Sequence, residues 1–195
     1  MLDPLLLQHL KANGVVAYPT STLPGLGALP TKEGLDALFL LKKRDAGKPV
    51  SLGVLSLEQA SSLVDVPPLA HDIEQYFPKG SMTFVLKAHH EMDARLGGQW
   101  VAVRVFAHPT ARELVEMVGP ITATSANEAG ETPCDSAEEA GELLGLPSFA
   151  ILSGMCPGGQ GSTFVRIDGS NIDILRPGVL SEIEIRHWLG EHTNN

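Results

Sequence analysis

The 195-residue chain predicts an α/β fold in which helices pack on a mixed, not strictly doubly wound, sheet. Three observations carry this. Short apolar runs rich in β-branched residues recur, among them Val15–Tyr18, Val50–Leu55 and Trp100–Phe106. Amphipathic segments with capping residues lie between them. The two kinds alternate irregularly, with several strands adjacent in sequence, which is the pattern of a mixed sheet. A hydrophobic content of 43% and this length allow one domain over residues 1–195, with a core that needs no disulfide. There is no internal repeat and no low-complexity linker.

Asp3-Pro4 caps a first helix carrying Leu6, Leu7 and Leu10, which Gly14 follows. Val15–Tyr18 is a strand that runs out into the loop Pro19–Gly27. Thr31 caps a helix through Leu35, Leu38 and Leu41 to about Arg44. After the strand Val50–Leu55, Ser56 and Gln59 form a capping box for a short helix. Asp72–Phe77 is helical and stops at Pro78-Lys79-Gly80. Met82–Ala88 and Trp100–Phe106 are strands; Pro109 opens a helix that Gly119 closes. Ile121–Thr124 is a strand, Ser136–Leu144 a helix, and Phe149–Leu152, Ser162–Asp168 and Asp173–Leu175 are strands. A final helix covers Ser181–Leu189, with His192–Asn195 frayed.

The formal net charge of −9 disfavours tight non-specific RNA binding, which depends on phosphate neutralisation, so weak, salt-sensitive RNA binding is the most this chain predicts. No apolar run approaches the ~20 residues of a membrane helix, so no membrane partner is expected. Asp3 stands where a secretory signal would be basic. Cys134 and Cys156 lack metal-ligand spacing, and two free thiols in a cytoplasmic protein are the simplest account. No metal site of protein ligands alone is expected.

Tyr18–Gly27 carries two prolines, two glycines and the hydroxyls of Thr20, Ser21 and Thr22 at the carboxyl end of a strand, where open α/β sheets bind ligands. Taken alone it reads first as an ordinary hydroxyl-rich turn, and the ligand reading gains weight only from the rest of the chain. Lys42, Lys43, Arg44 and Lys48 form the densest cationic cluster. Complementing a helix dipole accounts for the first two; Arg44 and Lys48 around a turn fit a polyphosphate site. Ser125-Ala126-Asn127 is a polar strand tip that can bind ribose, base or phosphate, or simply close a turn. Gly158–Thr163 is glycine-rich but lacks the Gly-Lys-Ser/Thr of a phosphate-binding P-loop. Arg104 interrupts an apolar strand and needs either an ion pair or a ligand carboxylate. Arg176 repeats the pattern at another strand exit. No nucleophile–base pair stands out, and no residue is assigned a catalytic role.

In order, Tyr18–Gly27, Lys42–Pro49, Pro78–Thr83, Val101–Pro109, Ser125–Asn127, Ser162-Thr163 and Leu175–Gly178 resemble the motifs of the YrdC-like family of threonylcarbamoyl-AMP synthases, over roughly residues 15 to 180. The resemblance implies a twisted mixed sheet around a concave cationic cavity. It implies conversion of L-threonine, bicarbonate and ATP to threonylcarbamoyl-adenylate and pyrophosphate, with Mg²⁺ accompanying ATP. The product feeds a tRNA-modifying transferase machinery that makes threonylcarbamoyladenosine. Thr22, Arg104 and Ser162 would hold threonine; Arg44, Lys48, Ser125, Asn127 and Arg176 would hold ATP, with Lys42 adding charge near the phosphates.

The chain departs from that pattern at Ser21, Pro24, Gly53, Lys79 and Arg166, positions that bear on the threonine side more than on ATP. Two other readings share the same residues: an RNA-binding module using the concave surface, and a divergent nucleotide-binding paralogue with another acceptor.

Overall fold

The computed structural model describes residues 2–192. Eight strands form one mixed sheet: β1 (Val16–Tyr18), β2 (Gly25–Gly27), β3 (Ser51–Val54), β4 (Met82–Lys87), β5 (Trp100–Val105), β6 (Ile121–Ser125), β7 (Thr163–Asp168) and β8 (Asn171–Arg176). Their order across the sheet is β1-β2-β6-β3-β5-β4-β7-β8. Only β3–β5 and β4–β7 are parallel pairs. The helices are α1 (Pro4–Lys11), α2 (Lys32–Leu41), α3 (Leu57–Ala60), α4 (Pro68–Tyr76), α5 (Pro109–Val118), α6 (Ala137–Leu143) and α7 (Glu182–His192). None is long and apolar enough to cross a membrane.

The caps act as their chemistry requires. Asp3, Thr31, Ser56 and Ser136 accept the amides of Leu5, Gly34, Gln59 and Glu139. Gln59 returns its side-chain oxygen to the Leu55 amide at 2.7 Å, one residue before the cap. Strand alternation divides the core into two layers. Val15 and Ala17 join the cluster containing Leu38, Val103 and Trp188, whereas Val16 and Tyr18 join the one containing Leu10, Phe106 and Leu114.

Several boundaries differ from expectation. Gly25–Gly27 pairs as a strand with both β1 and β6, although it reads as loop. Its glycines serve packing. A Cβ at Gly25 would lie 2.7 Å from Tyr18 Cζ, and one at Gly27 would lie 2.9 Å from Tyr18 Cε1, so the tyrosine ring occupies the space the side chains would fill. Phe149–Leu152 is not a strand: Ser148–Ala150 is a 3₁₀ turn after Pro147, and only Ile151 bridges to Ala17. There Ala150 is buried without a ladder, Ile151 and Leu152 are half-buried, and Phe149 stays exposed. Helix α2 stops at Leu41 because Lys43 takes a left-handed φ of 50°. Helix α4 begins at Pro68, earlier than its apolar pattern indicates. After α1, Asn13 and not Gly14 takes the left-handed conformation, with φ of 65°. Gly14 leaves room for the His9 ring, which bonds the Val15 carbonyl at 3.0 Å. His192 is helical; Thr193–Asn195 lie outside the described residues.

Candidate functional site

A cavity of about 200 Å³, open at its mouth, lies where the β1–β2 loop, the α2–β3 turn, the end of β6 and the entrance of β7 converge. Thr22, Arg44, Arg104, Ser125, Ser162 and Arg176 all line it. These six expected residues come from segments as much as 154 positions apart in sequence.

Arg104 is its deepest cation. Alternation along β5 places it on the same face as Phe106, and it is only 9% exposed. Nε and Nη2 both donate to the Gly80 carbonyl, at 3.0 and 2.8 Å, and Nη2 also donates to Thr22 Oγ1 at 2.8 Å. Gly80 can present that carbonyl because it adopts a φ of 80° against Ser21; a Cβ there would lie 2.4 Å from Ser21 Oγ. Among the described residues no carboxylate pairs with Arg104. Burial pulls its pKa down to about 10. A buried guanidinium held only by neutral acceptors leaves a net positive charge to be balanced by an anion.

The threonine-rich loop is held from within. Thr20 Oγ1 donates to the Leu23 carbonyl at 2.6 Å and accepts the Thr22 amide at 3.1 Å. The Thr22 carbonyl accepts the Gly158 amide at 3.0 Å, tying the glycine-rich loop to the same wall. Ser162 Oγ meets Thr83 Oγ1 at 2.7 Å. Thr163 is an organising hydroxyl: it donates to the Leu180 carbonyl and accepts the Gly178 and Leu180 amides, fixing the turn after Arg176. Gly178 is required there, since a Cβ would lie 2.3 Å from the Gly161 carbonyl oxygen.

Arg44 and Arg176 stand nearer the mouth. Arg44 donates to the carbonyls of Lys48 and Pro49, at 2.7 and 3.0 Å. Arg176 donates to the Ser162 carbonyl at 3.0 Å and lies 4.2 Å over the Phe164 ring. Burial lowers the pKa of each, and Arg176 adds to the effect on Arg44. Neither has a carboxylate partner among the described residues, whereas Arg95 and Arg186 on the surface do.

Three expected residues lie off the cavity wall. Lys48 is exposed, and its carbonyl rather than its ammonium serves Arg44. Lys42 is buried with Nζ donating to the Ser125 and Asn127 carbonyls. Burial, reinforced by Arg44, pulls its pKa down to about 8. The Asn127 amide donates to the carbonyls of Glu128 and Glu131, and its buried Oδ1 lacks a partner. Conversely, Ser51, Thr83 and Phe164 line the cavity without having been singled out. Phe164 is legible from Ser162, two residues earlier on the same strand face. Thr83 lies inside the Pro78–Thr83 motif.

Three of the five departures, Gly53, Lys79 and Arg166, have local explanations. Gly53 faces Phe106, whose ring a Cβ would meet at 1.9 Å. Lys79 pairs with Glu74 at 3.5 Å, and Arg166 lies 3.8 Å over the Trp100 ring. Both cysteines are free thiols. Among the described residues no group of three or more His, Cys, Asp or Glu could hold a metal ion, and no carboxylate lines the cavity.

A family model described as telomere recombination, covering Sua5, YciO and YrdC, matches residues 8–178. The threonylcarbamoyl-AMP synthase of Vibrio campbellii is 33% identical over 180 residues, covering 88% of this chain and 96% of that protein. The enzyme of the same name from Alkalilimnicola ehrlichii is 39% identical over 154 residues, covering 77% and 80%. Among solved structures, P. abyssi Sua5 complexed with L-threonine superposes with a TM-score of 0.83 at 30% identity; the match covers 96% of this chain and 57% of that longer one. E. coli YciO, at 22% identity and a TM-score of 0.72, shares the fold.

Proposed function

The chain belongs to the Sua5–YciO–YrdC family, and from that premise we propose that it is a threonylcarbamoyl-AMP synthase whose cavity holds L-threonine at its deep end and ATP toward its mouth. The observation that carries this reading is the gathering of Arg44, Arg104 and Arg176, none with a carboxylate partner among the described residues, around a cavity rich in hydroxyls. Such a site suits two anionic ligands and a small polar one.

Arg104 pairs with the threonine carboxylate, exchanging uncompensated charge for a charge-assisted contact. Thr22 and Ser162 supply neutral hydrogen-bonding groups beside it. The threonine amine and bicarbonate give a carbamate with loss of water. A carbamate oxygen then attacks the α-phosphorus of ATP, forming the mixed anhydride as the bond to pyrophosphate breaks. Arg44 and Arg176 hold the phosphates and offset charge on the departing pyrophosphate; Ser125 binds on the nucleotide side. Such a reaction runs on positioning and electrostatics, so an active nucleophile of the protein is not required.

The donor set fits a magnesium ion that would arrive on ATP: Arg44, Arg176 and the wall hydroxyls can grip phosphate, and among the described residues no carboxylate of the cavity wall is there to hold the ion itself. When bound, it neutralises phosphate charge. Bicarbonate as co-substrate, a transferase that passes the product to tRNA, the cytoplasm as location, and residues 1–195 as one domain complete the proposal.

Incubation with ATP, Mg²⁺, bicarbonate and individual amino acids, followed by pyrophosphate release, tests it. Release is expected only with threonine and bicarbonate together. Equal turnover with serine, or without bicarbonate, would mean a different adenylation.

A further inference from the structure

The turn that ends α2 and the loop that leaves β6 are joined at three points. Lys42 Nζ donates to the Ser125 carbonyl and, at 2.6 Å, to the Asn127 carbonyl. The Lys42 carbonyl accepts the Ala129 amide at 2.9 Å. Lys43 pairs with Glu128 at 2.8 Å. Lys42 is 1% exposed and has no carboxylate partner among the described residues, so its charge is balanced by main-chain carbonyl dipoles alone. Its two neighbours in this arrangement face the cavity: Arg44 from the turn and Ser125 from the loop.

We propose that Lys42 is a positioning residue, a latch that clamps the Ser125–Ala129 backbone against the Lys43-Arg44 turn so that Ser125 and Arg44 face the same nucleotide. This rests on the reading that the cavity takes ATP. Lys42 acts through the loop and not by touching phosphate. The chemistry favours this. An ammonium is a compact donor of three N–H groups, able to chelate two carbonyls from one point. Losing it would leave both half-buried acceptors without their donor, which frees the loop from the turn. A phosphate ligand would instead be reached by a side chain on the wall, and Lys42 is behind the wall.

A latch and a phosphate contact leave different signatures. Lys42→Met is compared with wild type for binding of adenosine, AMP, ATP and threonine, together with hydrogen exchange of the amides of residues 126–131. The latch predicts faster exchange across that loop. It also predicts a similar loss of affinity for all three nucleoside probes, on the order of tenfold, with threonine unchanged. A loss confined to ATP, or unchanged exchange, overturns it. If wild type binds none of the three probes, the ATP reading fails, and the exchange experiment still decides the latch. Should Lys42→Met not fold, Ala129→Pro removes the main-chain tie to the Lys42 carbonyl while keeping the ammonium. The same uniform pattern is then expected at smaller size, and its absence counts against the latch.

Discussion

The deep and outer ends of the cavity are built differently. Arg104 emerges from the middle of β5, is almost wholly buried, and has its guanidinium fixed by the Gly80 carbonyl and the Thr22 hydroxyl. Arg44 and Arg176 emerge where a helical turn and a strand finish; they are less buried and rest on main-chain carbonyls at the mouth. A rigid, desolvated end suits a small ligand, because orientation is settled before binding and little side-chain entropy remains to be lost. An end assembled from chain exits can adjust to a larger, flexible one. The difference also locates risk: damage near Arg104 threatens folding and binding together, whereas damage near the mouth threatens binding alone.

The largest effect is expected at Arg104. Arg104→Ala removes the proposed carboxylate partner and leaves the Gly80 carbonyl without its donors. Threonine affinity should fall about a hundredfold, roughly 3 kcal/mol. Arg104→Lys should not restore it, since one ammonium cannot reproduce the fork that spans Gly80 and Thr22. Calorimetric titration with threonine, paired with thermal unfolding, checks this. A lower melting temperature with intact threonine binding would make Arg104 a structural residue and remove the distinction between the two ends.

Gly53 sharpens the comparison from beneath. It pairs with Arg104 in the parallel register of β3 and β5, and its missing side chain accommodates the Phe106 ring. Gly53→Ala should overpack this layer and destabilise by about 1–3 kcal/mol, read as a lower urea midpoint. Threonine affinity should suffer more than ATP affinity. Phe106→Leu in the same chain should return most of the stability; no recovery would mean the clash lies elsewhere.

A smaller effect belongs to Lys42. Its pKa is lowered to about 8 in the folded chain, against 10.5 for a free lysine. Between those values the unfolded chain holds the proton that the folded one has lost, so stability rises with pH. Below pH 8 both states are charged and the penalty is constant. The stability of wild type relative to Lys42→Met should therefore grow between pH 8 and 10.5 by at most about 1.4 kcal/mol per pH unit. Urea unfolding across this range measures it, and a flat difference would mean the ammonium is not desolvated.

Much of this molecule is legible in the sequence, for local reasons. Asp3, Thr31, Ser56 and Ser136 announce helix starts because a cap needs only its own next turn. Arg104 is conspicuous because a charge amid Val101, Val103 and Val105 demands an explanation. What escapes depends on distant partners. Gly25–Gly27 has no strand-like composition, and its pairing rests on a Tyr18 ring that replaces absent side chains. The Phe149–Leu152 run has strand composition but meets β1 only at the Ile151–Ala17 bridge, because Ser148–Ala150 turns as a 3₁₀ helix. Lys42 points at carbonyls more than eighty residues away, and Lys48 serves Arg44 through an atom that every residue possesses.

The distinction between the two ends is tested most directly by titrating Arg44→Ala and Arg104→Ala with both threonine and ATP. Arg44→Ala should weaken ATP about tenfold, roughly 1.4 kcal/mol, and leave threonine unchanged. Arg104→Ala should weaken threonine and spare ATP. Equal losses of both ligands in both variants would contradict a cavity divided in this way.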